Sequence, residues 1–283
     1  MGNHGRVAHE NFSPAALVLL GHGSTKNADS SAPVFQHAAA LRRRNIFAEV
    51  REAFWKQEPQ IQAVLATLSA PRIFIVPLFI SEGYFSSDVI PRALGFIGQS
   101  TVIQQSSTRH YCRPIGTHDS MTDVLLVRAR AVVATFPFPR APKPADITLI
   151  IAGHGTEQND NSRKSIERQV ELLRARGEYA AVQAAFMEEA PRIADVYAVA
   201  ATRNLVVVPF FISDGRHAQE DIPVLLGEPA RSVRERLAGG QPTWRNPTER
   251  HGKLVWYSRS VGTEPLLAGV ILERVREAQL EAR

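Results

Sequence analysis

The sequence predicts an α/β protein made of two duplicated halves, each a parallel sheet flanked by helices, with a cleft between them. Three observations predict it. First, two short aliphatic runs, residues 17–20 and 147–152, each end in a histidine turn, Gly21-His22-Gly23 and Gly153-His154-Gly155. An apolar run closed by glycine reads as a buried parallel strand. Second, landmarks recur at one spacing. His154 follows His22 by 132 positions (154 minus 22), and Phe186/Phe54, Pro191/Pro59, Pro209/Pro77, Gly215/Gly83 and Pro223/Pro91 keep that spacing. Third, each half alternates strand and helix patterns, which builds a parallel sheet with helices on both faces.

Taken in order, residues 17–20 form the first strand. Residues 29–44 follow as a helix with Pro33 in its first turn, where a missing N–H costs little. Arg42-Arg43-Arg44 closes it, where cations complement the helix dipole. Residues 49–55 make a second strand, and Pro59 opens a helix to about residue 68. Residues 73–80 are the strongest strand of this half. Pro77 lacks a ladder donor there, so it marks a bulge or the end of pairing. A glycine-containing loop at 81–91, a fourth strand at 111–115 and a helix at 119–134 complete the half.

Residues 136–144 hold four prolines and read as a semi-rigid connector. The expected units are therefore 14–135 and 146–283, joined by 136–145. Beyond residue 227 the spacing becomes 146 (257 minus 111), with Tyr257-Ser258-Arg259 matching Tyr111-Cys112-Arg113. The 14 additional residues (146 minus 132) fall within 228–253, whose Gly, Pro, Arg and Asn content predicts an exposed loop.

With 283 residues, each half is long enough for its own core. The formal charge of +5 suits an acidic small molecule or nucleic acid. No long Lys/Arg tract or nucleic-acid motif occurs, so a small anion is expected and nucleic acid is not. Cys112 is the single cysteine and cannot form an internal disulfide. Residues 1–13, which include His4 and His9, lack an apolar signal core, and no apolar run nears the ~20 residues that span a bilayer. A cytoplasmic protein with no membrane partner is expected.

The histidine turns fall at carboxyl ends of strands, where open α/β sheets bind ligands. The duplication supplies two versions of every loop, and they disagree. After strand two, Glu188 stands where the first half has Lys56. After strand three, His217 stands where the first half has Phe85. His154, Glu188 and His217 therefore gather at one sheet edge of the second half only. Two imidazoles and a carboxylate suit a transition metal with open coordination positions, or proton acceptance. Other readings remain: Glu189 in place of Glu188, His217 merely paired with Glu220 or Asp221, and Asp214 and Asp221 as caps.

These motifs, Gly-His-Gly-Thr, Phe-Met-Glu and Ser-Asp-Gly-Arg-His with Glu-Asp-Ile-Pro, resemble the class II tetrapyrrole chelatases, the CbiX-like sirohydrochlorin chelatases among them. The resemblance spans both halves and implies two flavodoxin-like domains facing a cleft. It implies insertion of Co²⁺ or Fe²⁺, or Ni²⁺, into a carboxylate-rich tetrapyrrole of cobalamin or sirohaem synthesis, with loss of two protons and no organic cofactor. It makes His154 and His217 the metal-binding histidines and Glu188 a metal ligand or proton acceptor. His22 and Arg216 would contact substrate, with Lys26, Arg163 and Lys164 as further cations. Lys56 and Phe85 depart from the motif, leaving one complete site per chain. The competing readings are a non-catalytic carrier of metal or tetrapyrrole, and phosphotransfer through histidine. The second lacks both an arginine before the histidine and a Gly-Lys-Ser/Thr phosphate loop.

Overall fold

The computed structural model describes residues 11–24, 30–104, 106–155 and 160–282. His4, His9, Lys26 and Thr156 lie outside them. The first half contains β1 (Ala16–Gly21), α1 (Ala32–Arg44), β2 (Glu49–Phe54), α2 (Ile61–Thr67), β3 (Arg72–Pro77), α3 (Ile90–Ala93), β4 (Thr101–Gln104), β5 (Ser107–Tyr111) and α4 (Met121–Thr135). The second contains β6 (Ile147–Gly153), α5 (Asn161–Arg176), β7 (Ala181–Phe186), α6 (Val196–Val199), β8 (Asn204–Pro209), α7 (Ile222–Leu225), α8 (Ala230–Ala238), β9 (Thr248–Arg250), β10 (Lys253–Tyr257) and α9 (Leu267–Glu281).

Two five-stranded sheets result, ordered β2-β1-β3-β5-β4 and β7-β6-β8-β10-β9. The central strands run parallel, as expected for fully buried aliphatic runs. Each sheet ends in a short antiparallel strand, β4 on β5 and β9 on β10, that the sequence did not signal. The repeat extends to register: Gly21 pairs with Phe54 as Gly153 pairs with Phe186. Pro77 pairs with Leu20 at the last position of β3, so it ends the ladder rather than bulging it.

Side-chain alternation sends each strand into two different cores. Leu17 and Leu19 of β1, with Leu149 and Ile151 of β6, enter one continuous central core. Val18 and Leu20 face an outer core with α2, while Ile150 and Ala152 face a separate outer core with residues of α6 and α7. The central core is filled by α1, α4, α5 and α9. The closing helices are exchanged: α4 packs against β8 and β10, and α9 against β3. Arg274 of α9 is buried and donates to Pro114 O at 3.0 and 2.8 Å and to Thr117 Oγ1 at 2.6 Å, locking the exchange.

Three local expectations are corrected. The strand expected at 111–115 is β5, ending at Tyr111, because Pro114 ends pairing. The loop expected at 81–91 is π-helical over Phe85–Val89 and α-helical after it, as is His217–Asp221 in the second half. The insertion at 228–253 is not an exposed loop throughout. It contains α8 and β9, and it buries Val233, Trp244 and Glu228. Glu228 sits between Arg236 and Arg250 at 2.8 and 2.7 Å, the pairing a buried carboxylate requires.

Candidate functional site

Backbone geometry fixes the His154 turn. Gly155 has φ 67°, and a Cβ there would meet Phe186 Cβ and Glu189 Cγ below 3 Å, so the chain closes down on β7 only with glycine. The turn in exchange binds the end of β7, with Glu188 N–H donating to His154 O at 3.2 Å. That bond sets the Glu188 side chain beside the imidazole, Oε1 lying 3.7 Å from His154 Nε2. His154 Nδ1 faces Gly155 O at 2.7 Å, which leaves Nε2 as the free nitrogen.

His217 arrives on the π-helical turn after β8. Its ring stands edge-on to that of His154, centroids 5.0 Å apart and planes at 87°. Its Nδ1 meets Asp221 Oδ2 at 2.7 Å, one helical turn on, so Nδ1–H donates and Nε2 is again free. The turn is anchored from below by Tyr257, whose O–H donates to Ala218 O at 2.6 Å. Burial pushes that phenol well above its ordinary pKa, so it stays a donor.

The sequence candidates divide clearly. His154, Glu188 and His217 are brought together, their side chains 38%, 56% and 45% exposed and so within reach of a ligand. Among the described residues no three His, Cys, Asp or Glu side chains surround a single point as they stand. Arg216 is beside the cluster and loosely paired with Glu220 and Asp221 at 3.6 and 3.7 Å, its guanidinium exposed. Arg163 is committed elsewhere: it holds Glu189 Oε2 and Ala190 O, each at 2.6 Å, and covers the Phe186 ring. That pairing ties Glu189 down while Glu188 stays open. Asp214 is a loop clamp, accepting from Ser260 N at 2.6 Å and Arg259 Nε at 2.8 Å.

The sequence profile of the CbiX family matches residues 16–132 and again 148–278. The chain belongs to the CbiX family. It is 43% identical over 279 residues to a probable sirohydrochlorin cobaltochelatase of Halobacterium salinarum, covering 93% of this chain and 91% of that protein. Its fold is similar to DR2241 of Deinococcus radiodurans, described as a multi-domain protein with structural similarity to chelatases. There the TM-score is 0.75 at 29% identity, over 95% of this chain and 56% of that one. It also shares its fold with SirB of Bacillus subtilis, determined with Fe³⁺: TM-score 0.69 at 17% identity, over 95% and 98% of the two chains.

Of the two carboxylates the sequence offers as partners of His217, Asp221 is the one that pairs with it, and it orients the ring. A signal was present. Its counterpart is Val89 (221 minus 132), so the carboxylate disappears from the first half together with the histidine it would hold. His22 repeats the pose of His154, Nδ1 3.0 Å from Gly23 O, but faces the Phe85 ring at 5.5 Å and 85°. Among the described residues no helix is long and apolar enough to cross a membrane.

Proposed function

We propose that this chain is a sirohydrochlorin chelatase that inserts a divalent metal, Co²⁺ or Fe²⁺ with Ni²⁺ as a further candidate, into the tetrapyrrole in cobalamin or sirohaem biosynthesis. It would act in the cytoplasm. The observation that carries the reading is the pairing of two adjacent imidazoles whose Nδ1 atoms are both engaged, leaving both Nε2 atoms free, with the Glu188 carboxylate beside that of His154. The high identity to a probable cobaltochelatase over nearly the whole chain supports the same reading.

In this account His154 and His217 hold the metal substrate through Nε2. Imidazole suits Co²⁺, Fe²⁺ and Ni²⁺ alike, so supply decides among them as much as affinity. Two pyrrole N–H bonds break and the metal gains four bonds to the ring nitrogens as its two bonds to the histidines are given up; Glu188 takes up one of the two protons and the other passes to solvent. Two neutral ligands bind the ion without the charge that would trap it, which suits a site that must release metal to the ring. Asp221 keeps the His217 tautomer that presents Nε2. His22 and the exposed Arg216 contact the anionic macrocycle. The duplicated units are 14–135 and 146–283, joined by 136–145.

The test is an absorbance assay with purified protein, sirohydrochlorin and each metal in turn. Catalytic excess of metallated ring over the protein-free rate supports the chelatase. Stoichiometric binding without release of metallated ring makes the protein a carrier.

A further inference from the structure

The first half keeps the architecture of the second-half site and changes its chemistry. Lys56 N–H donates to His22 O at 2.9 Å, as Glu188 N–H does to His154 O. Phe85 opens a π-helical turn as His217 does. The ring pairs match in angle, 85° and 87°. What differs is charge: Lys56 Nζ lies 5.3 Å from the Phe85 ring centre. It has no ion-pair partner among the described residues, and the carboxylates on the Phe85 segment, Glu82 and Asp88, are held by Arg113 and Arg92. The exposed Lys56 ammonium repels cations and attracts carboxylates, and the Phe85 ring beside it is an apolar wall.

The cluster lies past the carboxyl end of β1, as His154 lies past that of β6. The carboxyl edges of the two sheets are tied to each other. His37 near the start of α1 donates to Gly262 O at 2.7 Å, and Gln36 donates to Thr263 O at 3.1 Å. Both residues of the second half follow β10, at the edge that carries His154 and His217.

We propose that the first-half turn is a carboxylate subsite for the macrocycle, with Lys56 as its specificity-determining residue and Phe85 as the apolar face beside it. This inference rests on the chelatase reading above. It predicts that the duplication has divided labour: one copy takes the cation, the other an acidic arm of the ring.

The experiment titrates metal-free sirohydrochlorin onto the full chain and reads Kd from ring fluorescence, so turnover is not needed. Lys56→Ala weakens binding about fivefold, the scale of an exposed ion pair. Lys56→Glu weakens it further, and Lys56→Arg stays within about twofold of the unmodified protein because the charge is kept. The loss shrinks at high salt. Binding of a macrocycle with alkyl groups in place of carboxylates is unchanged by any of the three. Equal affinity in Lys56→Ala and the unmodified chain overturns the subsite and leaves the chelatase reading standing, as does equal weakening toward the uncharged ring. Failure of the unmodified chain to bind sirohydrochlorin at all overturns both.

Discussion

The Nδ1 of His217 is fixed by Asp221 Oδ2 at 2.7 Å, across one turn of a π-helical segment. The pair acts as a unit: the carboxylate chooses the tautomer and the ring direction, and the imidazole offers its other nitrogen to a ligand. Outer partners of this type usually contribute 10- to 100-fold to metal affinity or activity. Asp221→Asn should therefore lower Co²⁺ affinity by roughly tenfold or more, with the thermal midpoint little changed, as read by equilibrium dialysis beside a melting curve. Unaltered affinity would mean that the contact is only structural.

Glu188 is more than half exposed and 3.7 Å from His154 Nε2, placed to receive protons rather than to hold the fold. Glu188→Gln keeps shape but loses charge and proton affinity. Insertion should slow by roughly a hundredfold, within the range for general-base removal, while Co²⁺ binding falls only a few-fold. Equal loss of both would make Glu188 a ligand first.

Stability should fall in mild acid. His37 is fully buried against Gly262 O, and desolvation holds its pKa below the usual 6.5; burial moves His110 and His118 the same way. The unfolded chain then binds protons near pH 6.5 that the folded chain refuses, so stability rises with pH through that window and is lost below it. The denaturant midpoint should be lower at pH 5.5 than at pH 7.5, with a smaller difference in His37→Gln. A protein more stable at pH 5.5 would contradict the sign.

The exchanged helices should make the two halves unfold together. α9 covers β3, and its buried Arg274 satisfies Pro114 O and Thr117 Oγ1 of the first half. Arg274→Met removes three donated bonds, leaving Pro114 O only its bond from Thr117 Oγ1, and should cost about 1–3 kcal/mol, lowering one common transition seen by both tryptophan fluorescence and far-UV circular dichroism. Two separate transitions would show that the halves fold independently.

The duplication was legible because glycine and proline mark turns whatever packs around them, and aliphatic runs reveal central strands. The pairing of His154, Glu188 and His217 followed from strand ends alone. Other features depend on information that one segment does not carry. The apolar stripe of α4 states that a face is buried, not which sheet covers it. β4 reads Thr-Val-Ile-Gln, too short and mixed to announce a strand. The serine-rich stretch at 81–91 has loop composition, yet Tyr111 O–H on Ser86 O holds it helical. Asp221 sits where helix caps are common; its spacing from His217 left Glu220 and Asp221 as alternative partners, and its loss at Val89 alongside the histidine favours Asp221.

One complete imidazole–carboxylate site, in the second half, would carry the chemistry. The most direct test is the initial rate of cobalt insertion into sirohydrochlorin by His217→Ala and by His22→Ala, each verified as folded. The prediction is that His217→Ala falls to the protein-free rate while His22→Ala keeps most of its activity. A dead His22→Ala beside an active His217→Ala would assign the chemistry to the wrong half and contradict it.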